Sequence, residues 1–99
     1  MVPSHSESFG LVAVEAQACG TPVLAARATA LPETGGDAAV YVDDPHDAEN
    51  WCRALRRLTG DPAARAVMAA AGPPRAARFD WETCAQRTLE VLRRTAARP

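Results

Sequence analysis

The sequence of 99 residues predicts an α/β fold, with short parallel strands, flanking helices and a helical C-terminal tail. The first observation is residues 23–26, Val-Leu-Ala-Ala, a short apolar run without alternation that is typical of a buried parallel strand. A helical segment and a Gly-Thr-Pro turn precede this run, which indicates layers of helix and sheet. The strands also come first and three helices last, as in the closing half of a larger doubly wound sheet.

The N-terminal half is expected to hold one helix and the strands. Residues 9–19 predict the helix, and Gly20 is its C-terminal stop. Because apolar side chains occupy all faces of this helix, we expect it to be buried on most sides. The other expected elements are the end of a strand at 1–3, a polar loop at 4–8, a strand at 23–26, a turn-rich loop at 27–37 and a strand at 40–42.

The C-terminal half predicts three helices, each preceded by an aspartate that can cap it. These aspartates are Asp47, Asp61 and Asp80. The second helix has Pro62 at its first position and is predicted to end at Gly72, because Pro73-Pro74 cannot continue it. The stripes expected to face the core are Trp51, Ala54, Leu55 and Leu58 in the first of these helices, and Cys84, Ala85, Thr88, Leu89 and Leu92 in the last.

The composition describes one small domain that depends on neighbours. The chain is 47% hydrophobic, but much of this fraction is alanine, which brings little area into a core. We therefore predict that the chain is marginally stable alone and packs against segments outside it. The net charge of -1 argues against a nucleic-acid partner, since phosphate neutralisation needs a surplus of positive charge on one face.

Three cysteines, an odd number at spacings without a metal signature, are expected to be free thiols in a reducing compartment. The N-terminus has no apolar signal region, and no run reaches the roughly 20 apolar residues needed to span a bilayer. The sequence therefore predicts a cytoplasmic protein.

Glu15 lies in the nearly all-apolar helix, where an unpaired carboxylate would be costly. An ion pair with an arginine or a position at the edge of the layer would explain it. A ligand cleft, in which Glu15 accepts hydrogen bonds from sugar hydroxyls, explains it equally well. Glu7 has a local explanation, because Ser4 and Glu7 have the spacing of a capping box, and Ser6 or Ser8 could also cap the helix.

The start of the same helix is a candidate anion site. Its first backbone N–H groups lack intrahelical partners and can bind an anion such as a diphosphate. Gly10 would let a ligand approach the backbone closely. Ligands bind at the carboxyl ends of strands in open α/β sheets, so a phosphate site here with Glu15 nearby indicates a nucleotide-sugar site. The residues that donate these N–H groups are Phe9, Gly10, Leu11 and Val12.

Residues 2–23 resemble the retaining glycosyltransferases of the GT-B fold called family 4. The hallmark of that family is two glutamates separated by seven residues, which is the spacing of Glu7 and Glu15. Further segments similar to the family are 31–33, 36–39, 42–47, 61–62 and 75–82. The resemblance implies that residues 1–99 are part of the C-terminal, nucleotide-sugar-binding, Rossmann-like lobe of such an enzyme, and that the N-terminal acceptor lobe is absent.

The resemblance also implies a role for each site residue. Glu15 would hold the ribose hydroxyls of a nucleoside-diphosphate sugar, and Glu7 would contact the transferred sugar as the catalytic residue, acting by positioning and electrostatics. The backbone of Phe9 and Gly10 would line the sugar pocket, and that of Leu11 and Val12 would meet the diphosphate. The family usually needs no metal or cofactor for donor binding, and its reaction retains the anomeric configuration.

The chain departs from the family in what it lacks. The acceptor lobe is missing, as is the first half of the donor lobe, where an Arg and a Lys normally neutralise the diphosphate. We therefore expect the 99-residue chain to be inactive alone and to need the missing lobe or a partner chain; peripheral membrane association of the full enzyme stays open. The alternatives are a non-catalytic α/β interaction or regulatory module, an inactive remnant, and a related phosphorylase or sugar synthase. The donor sugar, base and acceptor are not identified.

Other residues are interpreted as follows. His5 borders the proposed site and can face either ligand or solvent, while His46 is expected to be exposed in a loop. The remaining candidates are assigned to packing, namely Trp51, Phe79 and Trp81, or to solvent at the rim of the pocket, namely Glu33.

Overall fold

A computed structural model describes residues 1–98 of the chain. Five α-helices, one 3₁₀ helix and two strands make up these residues. In chain order they are α1 (Leu11–Ala18), β1 (Val23–Ala26), α2 (Leu31–Gly35), the 3₁₀ helix (Gly36–Ala38), β2 (Ala39–Val42), α3 (Ala48–Thr59), α4 (Pro62–Ala76) and α5 (Trp81–Ala96).

The sheet is parallel, as the sequence predicts. β1 and β2 pair in register from Val23 opposite Ala39 to Ala26 opposite Val42. Val2 makes a parallel bridge on the other side of β1, donating its N–H to the Leu24 carbonyl at 2.9 Å. All four residues of β1 are buried, because this strand has neighbours on both edges and helices on its faces. The predicted α/β class is confirmed.

Helix α1 packs along α4, and the two backbones approach closely at Gly72. A Cβ atom at Gly72 would lie 2.7 Å from the Gln17 carbonyl oxygen, so only glycine lets the two backbones come this close. The Gln17 side chain is fully buried beside this contact and donates from Nε2 to the Gly35 carbonyl at 3.0 Å. The α1–α4 contact therefore also holds the end of α2.

The expectation that α1 is buried on most sides is wrong. Its buried residues are Ala13, Val14 and Gln17, whereas Leu11 and Val12 are 58% and 60% exposed. Helix α1 also begins at Leu11, two residues later than predicted, because Gly10 adopts a left-handed conformation. One face of α1 thus packs on the core and the opposite face is open.

The turn-rich loop expected at 27–37 is also wrong in its second half, where α2 and the 3₁₀ helix form. Pro32 occupies the first turn of α2, where its fixed φ favours a helix and its missing N–H costs nothing. Leu31 is 0% exposed and anchors this short helix in the core. Burial of this leucine favours a helix over a loop here.

Helix α4 does not end at Gly72 but continues through Pro73 and Pro74 to Ala76. Two backbone hydrogen bonds are lost there. The residues beyond the prolines compensate, because Ala76 is buried and Arg75 donates to carbonyl groups of α2. All three predicted aspartate caps are confirmed, since Asp47, Asp61 and Asp80 each accept a backbone N–H in the first turn of α3, α4 and α5, respectively.

Of the two stripes predicted to face the core, the one in α3 is partly buried and the one in α5 is exposed. In α3 the residues Trp51, Ala54, Leu55 and Leu58 are all partly buried. In α5 no residue is buried, and Leu89 and Leu92 are 46% and 60% exposed. All five residues of this stripe are exposed. The radius of gyration of 16.3 Å accordingly exceeds the roughly 13 Å of a compact domain of this length.

Tyr41, the only tyrosine, packs against the 3₁₀ helix and donates its hydroxyl hydrogen to the Gly36 carbonyl at 2.8 Å. Burial raises the pKa of the Tyr41 phenol above 10.0, and the nearby Arg75 and Arg27 only partly oppose this. The neutral phenol therefore stabilises the fold below the unfolded pKa, and this contribution is lost as pH rises through the higher folded pKa.

We expect the stability of the wild type to fall more steeply above pH ~10 than that of Tyr41→Phe, which has no phenol to ionise. Urea denaturation of both proteins across this pH range measures the difference. Absorbance of the single phenolate shows directly when Tyr41 ionises. Parallel pH dependence in the two proteins would contradict the assignment.

Candidate functional site

The candidate site lies where residues 4–10 connect the Val2 bridge to α1, at the carboxyl edge of the sheet. Thr29, in the loop after β1, binds this connection. The Glu7 N–H donates to Thr29 Oγ1 at 2.7 Å, and the same hydroxyl donates to the Glu7 carbonyl at 2.9 Å. The loop after the Val2 bridge and the loop after β1 are therefore joined by hydrogen bonds between Glu7 and Thr29.

The Glu7 carboxylate is half-buried and does not cap α1. It accepts a hydrogen bond from Ser4 Oγ at 2.7 Å. This contact joins the side chains of two residues that are close in the sequence. The N-cap of α1 is Gly10, and no side chain caps this helix, so the alternative that Ser4, Ser6 or Ser8 caps it is wrong. The second carboxylate oxygen of Glu7 has no hydrogen-bond partner within residues 1–98.

The start of α1 leaves its backbone N–H groups free. Gly10 has φ 85° and ψ 45°, a conformation that L-residues other than glycine rarely adopt. Among the described residues no acceptor receives the N–H of Leu11 or Val12, and the first paired amide is Ala13, which donates to the Gly10 carbonyl at 3.0 Å. Two free amides and the positive end of the helix dipole favour an anion here.

Glu15 is exposed, so it does not need the compensation expected of a buried carboxylate. Neither of the ion pairs in residues 1–98 involves it. It follows Leu11 by four residues and Val12 by three, which places all three on one face of α1. The exposed face of α1 therefore carries free amides at its start and a carboxylate about one turn, or roughly 6 Å, further along.

Phe9 forms an aromatic contact beside the free amides. Its ring meets Phe79 edge-on, with centroids 5.3 Å apart, which agrees with a packing role for Phe79. Trp81 is 89% exposed, so the expectation that it packs is wrong. Trp51 is partly buried and donates from Nε1 to the Pro45 carbonyl at 2.8 Å, as a packing residue would.

A groove of about 620 Å³ lies between α1 and the first turns of α5, next to the free amides, and Phe9 and Leu11 form part of its wall. A second groove of about 620 Å³ lies between β2, α3 and α4, and no candidate site residue lines it. The first groove is the one that the candidate residues border.

Two exposed histidines form a contact that the sequence did not predict. The rings of His5 and His46 have centroids 4.4 Å apart, although 41 positions separate them in the sequence. Both follow parallel segments that end at the same edge of the sheet, which brings them together.

Residues 1–98 contain no cluster of three or more histidine, cysteine, aspartate or glutamate side chains able to hold a metal. The three cysteines are unpaired and exposed. No helix in this part of the chain is long and apolar enough to cross a membrane.

Three further residues support the site without a signal in the sequence. Thr29 binds Glu7, the Thr34 hydroxyl donates to the Phe9 carbonyl, and Arg75 binds the carbonyl groups of Glu33 and Thr34. They lie 22 to 42 positions from their partners, so no local pattern could have identified them.

Comparison with known proteins identifies relatives over nearly the whole chain. A D-inositol 3-phosphate glycosyltransferase from Saccharomonospora viridis is 46% identical over 97 residues, which is 97% of this chain and 22% of that protein. A D-inositol 3-phosphate glycosyltransferase from Rhodococcus opacus is 49% identical over 94 residues, covering 93% of this chain and 21% of that protein. The chain thus spans about a fifth of the length of these relatives.

Among solved structures, a sucrose-phosphate synthase from Thermosynechococcus elongatus superposes with a TM-score of 0.81 at 37% identity, over 96% of this chain and 24% of that one. This match supports the prediction that the α/β fold is part of a GT-B glycosyltransferase. Residues 1–75 match the family described as glycosyl transferases group 1. The chain belongs to this family.

Proposed function

We propose that this chain is part of the C-terminal, donor-binding lobe of a retaining family 4 glycosyltransferase, and that residues 7–15 bind a nucleoside-diphosphate sugar. The observation that carries the proposal is the exposed face of α1, where free amides at the helix start precede a solvent-facing carboxylate by one turn. Amides suit an anionic diphosphate, and a carboxylate suits neutral hydroxyl donors. One helix therefore offers a suitable partner both for the diphosphate and for the hydroxyl groups of a nucleotide sugar.

In this arrangement the N–H groups of Leu11 and Val12 bind the diphosphate, and Glu15 accepts hydrogen bonds from the ribose hydroxyls. The backbone of Phe9 and Gly10 lines the sugar pocket. The left-handed Gly10 turns the chain from the loop into α1, and the side on which a Cβ would lie faces the core residue Leu31 rather than the ligand. In this proposal no metal ion or cofactor is required, because the amides and the helix dipole meet part of the negative charge and an Arg and a Lys outside these residues would neutralise the rest.

In the reaction, an acceptor hydroxyl oxygen bonds to the anomeric carbon while the bond from that carbon to the diphosphate oxygen breaks, and the hydroxyl proton passes to the leaving diphosphate. Negative charge develops on the leaving diphosphate, where the amides of α1 stabilise it. Retention follows if the acceptor attacks from the side that the diphosphate leaves. Glu7, held by Ser4 and Thr29, acts near the transferred sugar by positioning and electrostatics.

The acceptor lobe lies outside residues 1–99 in this proposal, either in a longer chain or in a partner. The chain spans about a fifth of its relatives, which supports this. Transfer needs both substrates held together, so these residues alone bind the donor without transferring it. The setting that we propose is the cytoplasm.

Titration of the chain with UDP- and GDP-sugars tests the proposal. We expect Glu15→Ala to lower the affinity about tenfold or more, because it removes a charged acceptor from the ribose hydroxyls. Thermal stability should stay nearly unchanged, since Glu15 is exposed and alanine is a good helix former. Calorimetric titration and thermal melts measure the two quantities.

Glu90→Ala is the matched control, because it also removes an exposed carboxylate from the middle of a helix, where only a surface ion pair with Arg94 is lost. It should leave the affinity unchanged. A 2′-deoxy nucleotide should show a smaller effect of Glu15→Ala than the ribonucleotide does. Equal affinity of wild type and Glu15→Ala would refute the ribose assignment, and a wild type that binds no nucleotide sugar would refute the donor site.

A further inference from the structure

Arg75, in the last turn of α4, binds the C-terminal end of α2. Its Nη2 donates to the Glu33 carbonyl at 2.5 Å and its Nε to the Thr34 carbonyl at 3.4 Å. A cationic donor suits the free carbonyl groups at a helix C-terminus. The guanidinium fills the space beside Gly36, where a Cβ atom would lie 2.5 Å from Arg75 Cζ. Arg75 is thus built into the end of α2.

Thr34, which Arg75 binds, connects the end of α2 to the candidate site. Its side chain is 3% exposed, and its hydroxyl donates to the carbonyl of Phe9, 25 positions away. The Phe9 carbonyl and the Gly10 N–H belong to one planar trans peptide, so they point in opposite directions. The bond from Thr34 to the carbonyl therefore sets the direction in which the Gly10 amide points.

A second path joins Arg75 to the side chain of Phe9. The Arg75 guanidinium lies over the ring of Phe79, with Cζ 5.6 Å from the ring centroid. The ring of Phe79 in turn meets the ring of Phe9, with centroids 5.3 Å apart. Both the main chain and the side chain of Phe9 are connected to one arginine.

We propose that Thr34 and Arg75 are positioning residues of the donor site, which fix the Phe9–Gly10 peptide so that the Gly10 amide points toward the ligand together with those of Leu11 and Val12. The inference rests on the proposed function for the identity of that ligand. Restraint from outside is needed at this point because Gly10 has no Cβ to limit rotation of the peptide. Neither residue touches the ligand.

Affinity for UDP or GDP, whichever the wild type binds more tightly, tests this with paired variants. Thr34→Val keeps the shape of the buried side chain but removes the donor, and Arg75→Met removes the guanidinium while keeping a long side chain. Each is expected to weaken binding of that nucleotide by about three- to tenfold. Thr34→Ser keeps the hydroxyl and should restore most of the affinity. The double variant should lose less than the sum of the two, because both act through one peptide.

Arg65→Met is the matched control. Arg65 also lies in α4 and donates to the last carbonyl groups of another helix, from Nη1 to Leu58 at 2.8 Å and to Thr59 at 2.5 Å, but it binds α3 rather than α2. Arg65→Met should lower stability as Arg75→Met does, but the affinity for the nucleotide should stay within about twofold of the wild-type value. Equal loss of affinity in both arginine variants, or none in Arg75→Met and Thr34→Val, would overturn the inference.

A ligand-free measurement separates this inference from the proposed function. In ¹H–¹⁵N spectra of the chain, we expect the Gly10 amide resonance to shift in Thr34→Val and Arg75→Met, and to stay in place in Thr34→Ser and Arg65→Met. If the wild type binds neither UDP nor GDP, the proposed function fails, while these spectra still decide whether the two residues position the peptide. A Gly10 resonance that is the same in all four variants would refute the positioning role.

Discussion

Replacing Gly10 by alanine is expected to lower the free energy of unfolding by about 2–5 kcal/mol and to abolish donor binding. Two costs add. The φ of 85° costs an L-residue about 1–2 kcal/mol. The new Cβ would also lie 2.8 Å from Leu31 Cδ2, and Leu31 is 0% exposed and cannot move aside without disturbing the core, which costs about 1–3 kcal/mol.

Gly20→Ala is the control that separates these two costs. Gly20 has a similar φ of 70°, but the nearest atom to its Cβ would be 3.5 Å away, an ordinary contact. Only the backbone strain of about 1–2 kcal/mol applies there, and donor binding should persist. Chemical denaturation of both variants measures the difference. Equal losses in the two would show that the overlap with Leu31 costs nothing.

Gly72→Ala is expected to destabilise the chain by about 2 kcal/mol or more, although alanine favours a helix interior by about 1 kcal/mol over glycine. The Cβ at this position would lie 2.7 Å from the Gln17 carbonyl oxygen and 3.2 Å from its Cα. These are backbone atoms of α1, so no side-chain rotation relieves the overlap. Helices α1 and α4 must move apart, and the Gln17 bond to Gly35 weakens with them.

The exposed Ala70 on the same helix provides the opposite substitution. Ala70→Gly should cost about 1 kcal/mol through helix propensity alone. The two variants therefore test packing against propensity, with glycine preferred at position 72 and alanine preferred at position 70. A neutral or stabilising Gly72→Ala in denaturation experiments would contradict the close approach of α1 and α4.

The helix caps and the buried strand could be predicted from the sequence, because each depends on residues that are close together in the chain. Asp47, Asp61 and Asp80 cap helices because a side-chain acceptor ahead of a periodic segment satisfies free amides whatever surrounds it. The run at 23–26 was identified as a buried parallel strand because it lacks a polar face. Both features depend on neighbours in sequence, and the sequence predicted them correctly.

Tertiary contacts decided the elements that were predicted wrongly. Pro32 suits a turn or the first turn of a helix, and the burial of Leu31 with the contacts of Arg75 favours the helix α2. The proline pair at 73–74 should end a helix, but the contacts of Arg75 and Ala76 with α2 and the core keep α4 helical. Such contacts are made by residues far apart in the chain, and no spacing rule contains them.

The candidate site shows the same division. The free amides at the start of α1 follow from any uncapped helix start, so the sequence could predict them. The burial of α1 on most sides was mispredicted, because the composition of α1 does not reveal which of its faces meets α4. Thr34 and Arg75 could not be found at all, since their partners are distant in sequence.

The exposure of α5 bears on how the chain unfolds. A helix that buries no residue shares little surface with the rest and gains little cooperativity from it, so it can open at a cost well below that of the sheet and its helices. The chain then unfolds in two steps, and the free energies of unfolding expected for the Gly10 and Gly72 variants refer to the step that unfolds the sheet and its helices. The two tryptophans report on different steps, because Trp51 lies in α3 and Trp81 begins α5.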